Sequence, residues 1–237
     1  MNERTKSGFR HDWTKVPDQV DDLASVNSDA STISFRRIKK SHNGLKKFKN
    51  VQRLFAYNVD DSFLEEISCL PNLTFLWAEN ITAKDLSPLA RLASLEHLIL
   101  RSVRNAQNFT FPASMPGLRH LCLEWVKHLH NLSDLTSKDN LLSFGIEGST
   151  ELSQRQKIEA LLPILDWTEL HSLYLGNTKI QDGNLRCLAK MPSLRYLETA
   201  RFYPKSEFQA LKAAHQQLQC QWFDKYEIES PYQRRRH

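Results

Sequence analysis

Two imidazoles and a thiol, those of His97, His120 and Cys122, are the groups with the clearest chemical capacity in this 237-residue chain. Neutral imidazoles and a thiolate ligate zinc, and a Cys-His pair can form an activated nucleophile. Neither arrangement is complete. No fourth zinc ligand is evident, and no third residue stands ready to orient a histidine for attack. The motifs GxxxxGK[ST], GxGxxG, HExxH and GxSxG are absent, and seven glycines leave little for a phosphate loop. No catalytic residue, metal or cofactor is therefore expected. Contact with a partner, or plain exposure, is the reading left for the two histidines.

A second chemical capacity is charge. Arg36-Arg37-Ile38-Lys39-Lys40 and Lys46-Lys47-Phe48-Lys49 could hold phosphates electrostatically. Lysines also blunt exposed strand edges, which is the plainer reading. The whole chain carries +5, but unevenly: residues 1–60 hold 12 Lys/Arg against 7 Asp/Glu, and residues 61–150 hold 7 against 10. An acidic middle between basic ends makes no continuous nucleic-acid stripe. Nucleic-acid binding through the basic amino-terminal edge is kept as the alternative function.

What positions these side chains is a repeat. An apolar residue, two free positions, an apolar residue, one free position and another apolar residue recur from Val51 (Leu54, Ala56), Leu73 (Leu76, Ala78) and Leu95 (Leu98, Leu100). The series continues from Leu118 (Leu121, Leu123), Leu141 (Phe144, Ile146), Leu170 (Leu173, Leu175) and Leu194 (Leu197, Thr199). Successive starts are 22, 22, 23, 23, 29 and 24 residues apart. Degenerate copies are expected at Ala30 (Ile33, Phe35) and His215 (Leu218, Cys220). In an extended segment alternate side chains point to opposite faces. Positions four and six then point inward, and three, five and seven outward. One such strand cannot bury its face alone, so the copies must stack in parallel.

The pattern resembles the leucine-rich repeat family, in which LxxLxLxxN/C recurs every ~20–29 residues. The resemblance spans about Ala30 to Phe223 and is to a repeat domain of the bacterial intracellular type. It implies an α/β fold: a solenoid with a curved parallel sheet on the concave side and short helices on the convex side. One departure is visible. The ninth position, usually Asn or Cys, holds Val59, Ile81, Val103, Val126, Ser149 and Thr178. An asparagine ladder is not expected there, and apolar or hydroxyl groups must fill that layer.

Between strands, Asp61–Leu70, Lys84–Leu92 and Asp182–Lys190 have helical spacing. Ser153-Gln154-Arg155-Gln156 has capping-box form, so a longer helix is expected over 158–165, ending near Pro163. Ser206 opens another through about Gln216. Residues 1–29 are polar, with Trp13 and Val16-Pro17 as apolar anchors, and form either an arm or a cap. Residues 224–237 lack periodicity, end in Arg234-Arg235-Arg236, and are expected to fray.

In this register the outward residues form files. The fifth positions read Phe55, Trp77, Ile99, Cys122, Gly145, Tyr174 and Glu198. The third read Arg53, Phe75, His97, His120, Ser143, Ser172 and Tyr196. The seventh include Tyr57, Glu79, Arg101, Glu124 and Glu147; the eighth add Asn58, Asn80, Trp125 and Asn177. Phe55, Trp77, Ile99 and Cys122, flanked by Phe75 and Tyr57, are expected to form a contiguous exposed apolar patch, the usual mark of a partner surface. The acidic track at Glu124 and Glu147 would favour a partner with basic side chains. A competing reading has residues 1–29, or a second copy, covering the patch.

Apolar content of 41% with 25% charged residues is ordinary for a folded soluble chain. No apolar run approaches a bilayer span, and Met1–Lys15 lacks a secretory apolar stretch. The four cysteines form no CxxC pair, which suits a reducing cytoplasm. The expectation is a non-catalytic cytoplasmic protein that binds another protein on its concave face. Proteins resembling it serve as regulators, inhibitors or immunity partners of enzymes and toxins. Bacterial ubiquitin ligases with such repeats carry a separate catalytic domain, for which the residues after the last repeat leave no room.

Overall fold

The leucine files pull eight strands into one parallel sheet. In the computed structural model, which describes residues 16–135, 140–149 and 154–227, the strands are β1 (Thr32–Arg36), β2 (Arg53–Tyr57), β3 (Phe75–Ile81), β4 (His97–Val103), β5 (His120–Val126) and β6 (Ser143–Glu147). They are followed by β7 (Gln156–Ile158), β8 (Ser172–Gly176), β9 (Thr178–Ile180) and β10 (Tyr196–Thr199). The main sheet runs β1-β2-β3-β4-β5-β6-β8-β10, and β7 pairs with β9 beside it. Every neighbour aligns one repeat with the next: Leu54, Leu76, Leu98, Leu121, Phe144, Leu173 and Leu197 fall in one file. The degenerate copy at Ala30 is real, with Ile33 opposite Leu54.

That file, the sixth-position residues and the first-position leucines make one continuous core running the length of the stack. Each fully buried leucine contributes ~1.5–3 kcal/mol relative to exposure. Among the described residues, the one α-helix between strands of the main sheet is α1 (Asp61–Ile67), whose Asp60 cap accepts from Phe63 N at 2.9 Å. Elsewhere the intervals have room only for 3₁₀ turns, at Ser87–Arg91, Phe111–Ser114 and Arg186–Lys190. Pro88 and Pro112 sit in the first turn of two of them, where a missing N–H costs nothing.

The long interval departs from expectation. Ser153 lies outside the described residues, and in place of a long helix over 158–165 there is a single 3₁₀ turn at Leu162–Ile164. Gln156 and Ile158 are buried and Lys157 between them is exposed, the two-residue period of a strand. Gln156 explains the extra residues. Its amide accepts from Val126 N at 3.1 Å and donates to the carbonyls of Val126 (3.1 Å) and Leu129 (2.7 Å). It thereby satisfies backbone groups at the end of β5 that the next repeat leaves open.

The strands end in a shared backbone feature. Asn58, Asn80, Ser102, Trp125 and Asn177, all at position eight, have φ between 45° and 61°. Asparagine tolerates this left-handed conformation better than most residues. No continuous asparagine ladder runs among the described repeats, but asparagines one place earlier than the family pattern bond across neighbouring repeats. Asn58 Nδ2 donates to Arg37 O, Asn80 Nδ2 to Asn58 Oδ1 at 2.6 Å, and Asn177 Nδ2 to the carbonyls of Ser149 and Gln154. Val59, Ile81, Val103 and Val126 fill the ninth-position layer as expected, all fully buried.

Both edges of the sheet are covered. Val20 bonds to β1 through Val20 N to Ser34 O (2.9 Å) and Arg36 N to Val20 O (2.8 Å). At the other end Gln219 pairs with Tyr196, two residues off the phase expected for a copy at His215. Helix α2 (Lys205–Ala214) forms as expected. Helix α3 (Trp222–Lys225) and Tyr226 correct the fraying expected from residue 224: Trp222 Nε1 donates to Thr199 O, and Tyr226 Oη to Tyr203 O. Residues 228–237, with Arg234–Arg236, lie outside the described residues, as do residues 1–15.

Candidate functional site

The outward files occupy the concave face in the expected order. Phe55, Trp77, Ile99, Cys122, Gly145, Tyr174 and Glu198 are consecutive partners across β2 to β10, as are Arg53, Phe75, His97, His120, Ser143, Ser172 and Tyr196. They lie on the opposite side of the sheet from the leucine core.

Their exposure corrects the expectation. Phe55 (0%), Phe75 (6%), Trp77 (5%), Ile99 (8%) and Cys122 (1%) are buried, so the apolar row is no open patch. It forms a second cluster, separate from the main core, with Val16 and Tyr57 packed against it. Strands ~4.8 Å apart bring successive rings into contact. Phe55 meets Phe75 at 5.3 Å between centroids, and Tyr57 meets Trp77 edge-on at 5.2 Å. Arg53 lays its guanidinium over the Phe75 ring at 4.3 Å.

The partly exposed groups surround this row. His97 and His120 stack, centroids 4.2 Å apart and planes at 16°. Burial, the neighbouring imidazole and Arg119 push His120 down to about 4, and burial also lowers His97. The pair is therefore neutral at pH 7. Burial drives the Cys122 thiol well up, aided by Glu124 and Glu147. A thiol held protonated is a poor nucleophile, so the two histidines and Cys122 do not make a reactive pair. Among the described residues no three His, Cys, Asp or Glu side chains are grouped to hold a metal ion.

The seventh file carries charge. Arg101 lies between two carboxylates, 3.6 Å from Glu79 and 3.5 Å from Glu124. Burial and the nearby Glu147 raise Glu124 to about 7, against the pull of Arg101. Next along the file, Gly176 leaves space that Tyr174 fills: a Cβ there would lie about 2.5 Å from the Tyr174 ring carbon bearing the hydroxyl. Tyr174 is pushed above the usual phenol value by burial and then by Glu147.

Trp125 holds φ at 52° and is partly exposed, its indole donating to Gln154 Oε1 at 3.1 Å. A bulky aromatic in the left-handed region is a real outlier. The sequence placed Trp125 in the eighth file but gave no sign of this strain. The basic amino-terminal clusters are interleaved with acid: Arg36 pairs with Asp21, Arg37 with Asp60 and Lys46 with Glu66. No helix among the described residues is long and apolar enough to cross a membrane.

No protein-family model matches the chain, and no curated protein sequence does. Solved structures do. A plant peptide hormone receptor, RGFR1, solved in complex with RGF2, matches at TM-score 0.51 and 12% identity over 86% of this chain and 37% of the receptor chain. Internalin C2 of Listeria monocytogenes matches at TM-score 0.47 and 20% identity, over 81% of this chain and 76% of that one. The leucine-rich repeat protein LIC12759 of Leptospira interrogans matches at 0.41 and 19%, over 76% and 51%. The fold is a leucine-rich repeat solenoid. At these identities the likeness carries the fold alone, so the use of the solenoid's concave face must be argued from its own side chains.

Proposed function

We propose that this chain is a non-catalytic protein-binding module, an intracellular regulator of the inhibitor or immunity type, whose concave face receives a partner with basic side chains. The observation that carries this reading is the file Glu79–Arg101–Glu124, continued by Glu147, beside the aromatic row. Here the Arg101 guanidinium lies between the Glu79 and Glu124 carboxylates, and burial, followed by repulsion from Glu147, raises Glu124. An incoming Lys or Arg would relieve that repulsion, which gives the surface a charge preference. Tyr57, Tyr174 and Trp125 border the track, and Tyr and Trp are favoured interface anchors. His97 and His120 continue the same face in neutral form, and Phe55, Phe75, Trp77, Ile99 and Cys122 underlie it.

Nucleic-acid binding is the weaker reading, since Arg36, Arg37 and Lys46 are paired with carboxylates of the same chain. The test starts from a partner captured on the intact chain, identified and purified. Titration against Trp125→Ala should weaken binding by about tenfold or more. Unchanged affinity, with the fold intact by circular dichroism, would remove the concave face from the interface.

A further inference from the structure

A row of cations runs along the edge of the solenoid where the strands exit. Past the left-handed eighth residue and the buried ninth, the tenth residue turns to solvent: Arg104 follows Val103, Lys127 follows Val126 and Lys179 follows Thr178, and all three are exposed. Backbone bonds keep the tenth positions in step, with Arg104 N donating to Ile81 O and Lys127 N to Val103 O, each at 3.0 Å. The long interval supplies the place in between. Gln156 reaches Val126 with its amide and aligns with Thr178 in the ninth layer, which sets exposed Lys157 directly opposite Lys179. Lys157 and Lys179 are one strand spacing apart, ~4.8 Å, and like charges directly opposite each other destabilise a sheet. The carboxylates nearby are engaged elsewhere: Glu159 accepts from Asn131 Nδ2 at 2.9 Å and Asp182 from Asn184 N at 3.0 Å. Among the described residues no ion pair joins Arg104, Lys127, Lys157 or Lys179 to a carboxylate. Counted along the chain these cations are diluted by acidic neighbours; stacking gathers them.

A cleft of about 480 Å³ adjoins the row, lined by Lys84, Asn105, Gln107, Asn108 and His128. Asn105 and His128 directly follow Arg104 and Lys127 in the chain. Every lining side chain is polar. An acidic protein segment would be held by buried aromatic or aliphatic anchors, and the cleft provides none. Nucleic-acid interfaces are instead polar and strongly positive. Lysine binds phosphate as a point charge, and side-chain amides pair with base edges. We propose that this edge binds a nucleic-acid strand, its phosphodiester backbone along Arg104, Lys127, Lys157 and Lys179 and a base at the amides of the cleft. The surface is separate from the amino-terminal edge, where Arg36, Arg37 and Lys46 are paired with carboxylates. It is separate from the concave face as well, so it does not rest on the protein-binding reading.

The test is fluorescence anisotropy of a labelled single-stranded DNA of about 20 nucleotides, titrated with the full chain from about 20 to 200 mM salt. The native chain should bind at the low end and release as salt rises. Lys127→Gln/Lys157→Gln/Lys179→Gln should weaken binding at least about tenfold at low salt and flatten the slope of log affinity against log salt by about 2. The matched control at the amino-terminal edge, Lys39→Gln/Lys40→Gln/Lys47→Gln, should keep native affinity within about twofold. If the triple row variant loses its circular-dichroism signal, Lys157→Gln alone decides, with a slope change of about 0.7. No binding by the native chain at low salt, an unchanged slope in the row variant, or an equal loss in the control would each overturn the proposal. So would equally tight binding of a labelled polyglutamate of similar length, which would give the edge to acidic proteins instead.

Discussion

His97 and His120 lie one repeat apart and stack their rings 4.2 Å apart, nearly parallel, on the concave face. Two imidazoles in that contact cannot both be charged cheaply, and the pair remains neutral where free histidine would begin to protonate. Because burial and the neighbouring imidazole hold folded His120 at about 4, below the usual 6.5 of histidine, the unfolded chain binds protons first. Stability should therefore fall as pH drops from about 6.5 towards 4. His120→Gln should remove about 1–2 kcal/mol of that loss, measured as the difference in urea midpoint between pH 7 and pH 5. An identical acid-side loss in the variant would show that the stack is not its source.

Glu124 has the opposite sign. Burial and then Glu147 raise it in the folded chain to about 7, above the usual 4.5 of glutamate, so the folded chain keeps a proton that the unfolded chain has lost. Its effect is a decline in stability as pH rises from about 4.5 through 7. Glu124→Gln should flatten that decline and stabilise the chain at pH 8 by about 1 kcal/mol, even though the contact with Arg101 is weakened. A loss of stability at pH 8 would mean that the Arg101 pairing outweighs burial and the repulsion from Glu147.

Position eight gives a backbone prediction. Asn80 combines φ of 55° with a hydrogen bond to Asn58 of the preceding repeat. Asn80→Ala should cost about 1–2 kcal/mol, and Asn80→Gly less, because glycine keeps the left-handed backbone without strain. Trp125→Gly, at φ 52°, should leave stability within about 1 kcal/mol, release of strain offsetting lost packing. Chemical denaturation of the three variants checks this. Equal losses for Asn80→Ala and Asn80→Gly would assign the effect to the side-chain bond alone.

The two faces of one strand predict a contrast. Leu98 belongs to the main core and Ile99 to the concave cluster. Leu98→Ala should cost about 2–5 kcal/mol, the usual range for a cavity in a packed core. Ile99→Ala should cost clearly less, because the concave cluster it belongs to is far smaller than the main core. Equal losses would make the concave row part of the core in energetic terms.

Much of this was legible in the sequence, and the limits are physical. Leu54, Leu76, Leu98, Leu121 and Leu173 repeat at one phase, which gave the strands, their register and the side of the sheet on which Trp77 and Ile99 stand. Burial of that row was not legible, since a two-residue period gives the face on which a side chain stands and not what packs over it. Gln156 was misread because a polar residue in a strand core carries no hydrophobic signal; its role is to satisfy Val126 and Leu129. The left-handed eighth position was hidden because Asn, Ser and Trp share no side-chain chemistry. At the carboxy-terminal edge, Leu218 and Cys220 had the right pattern, but Gln219 pairs two residues out of phase.

The central claim is that the acidic track of the concave face selects a basic partner. The direct measurement is calorimetric titration of the identified partner against the native chain and a full-length Glu124→Lys/Glu147→Lys chain, at two salt concentrations. The account predicts at least a hundredfold loss of affinity on charge reversal, several kcal/mol of the kind measured for close interfacial charges. It also predicts that binding to the native chain weakens with salt. Native affinity in the charge-reversed chain, with its fold intact, would contradict it.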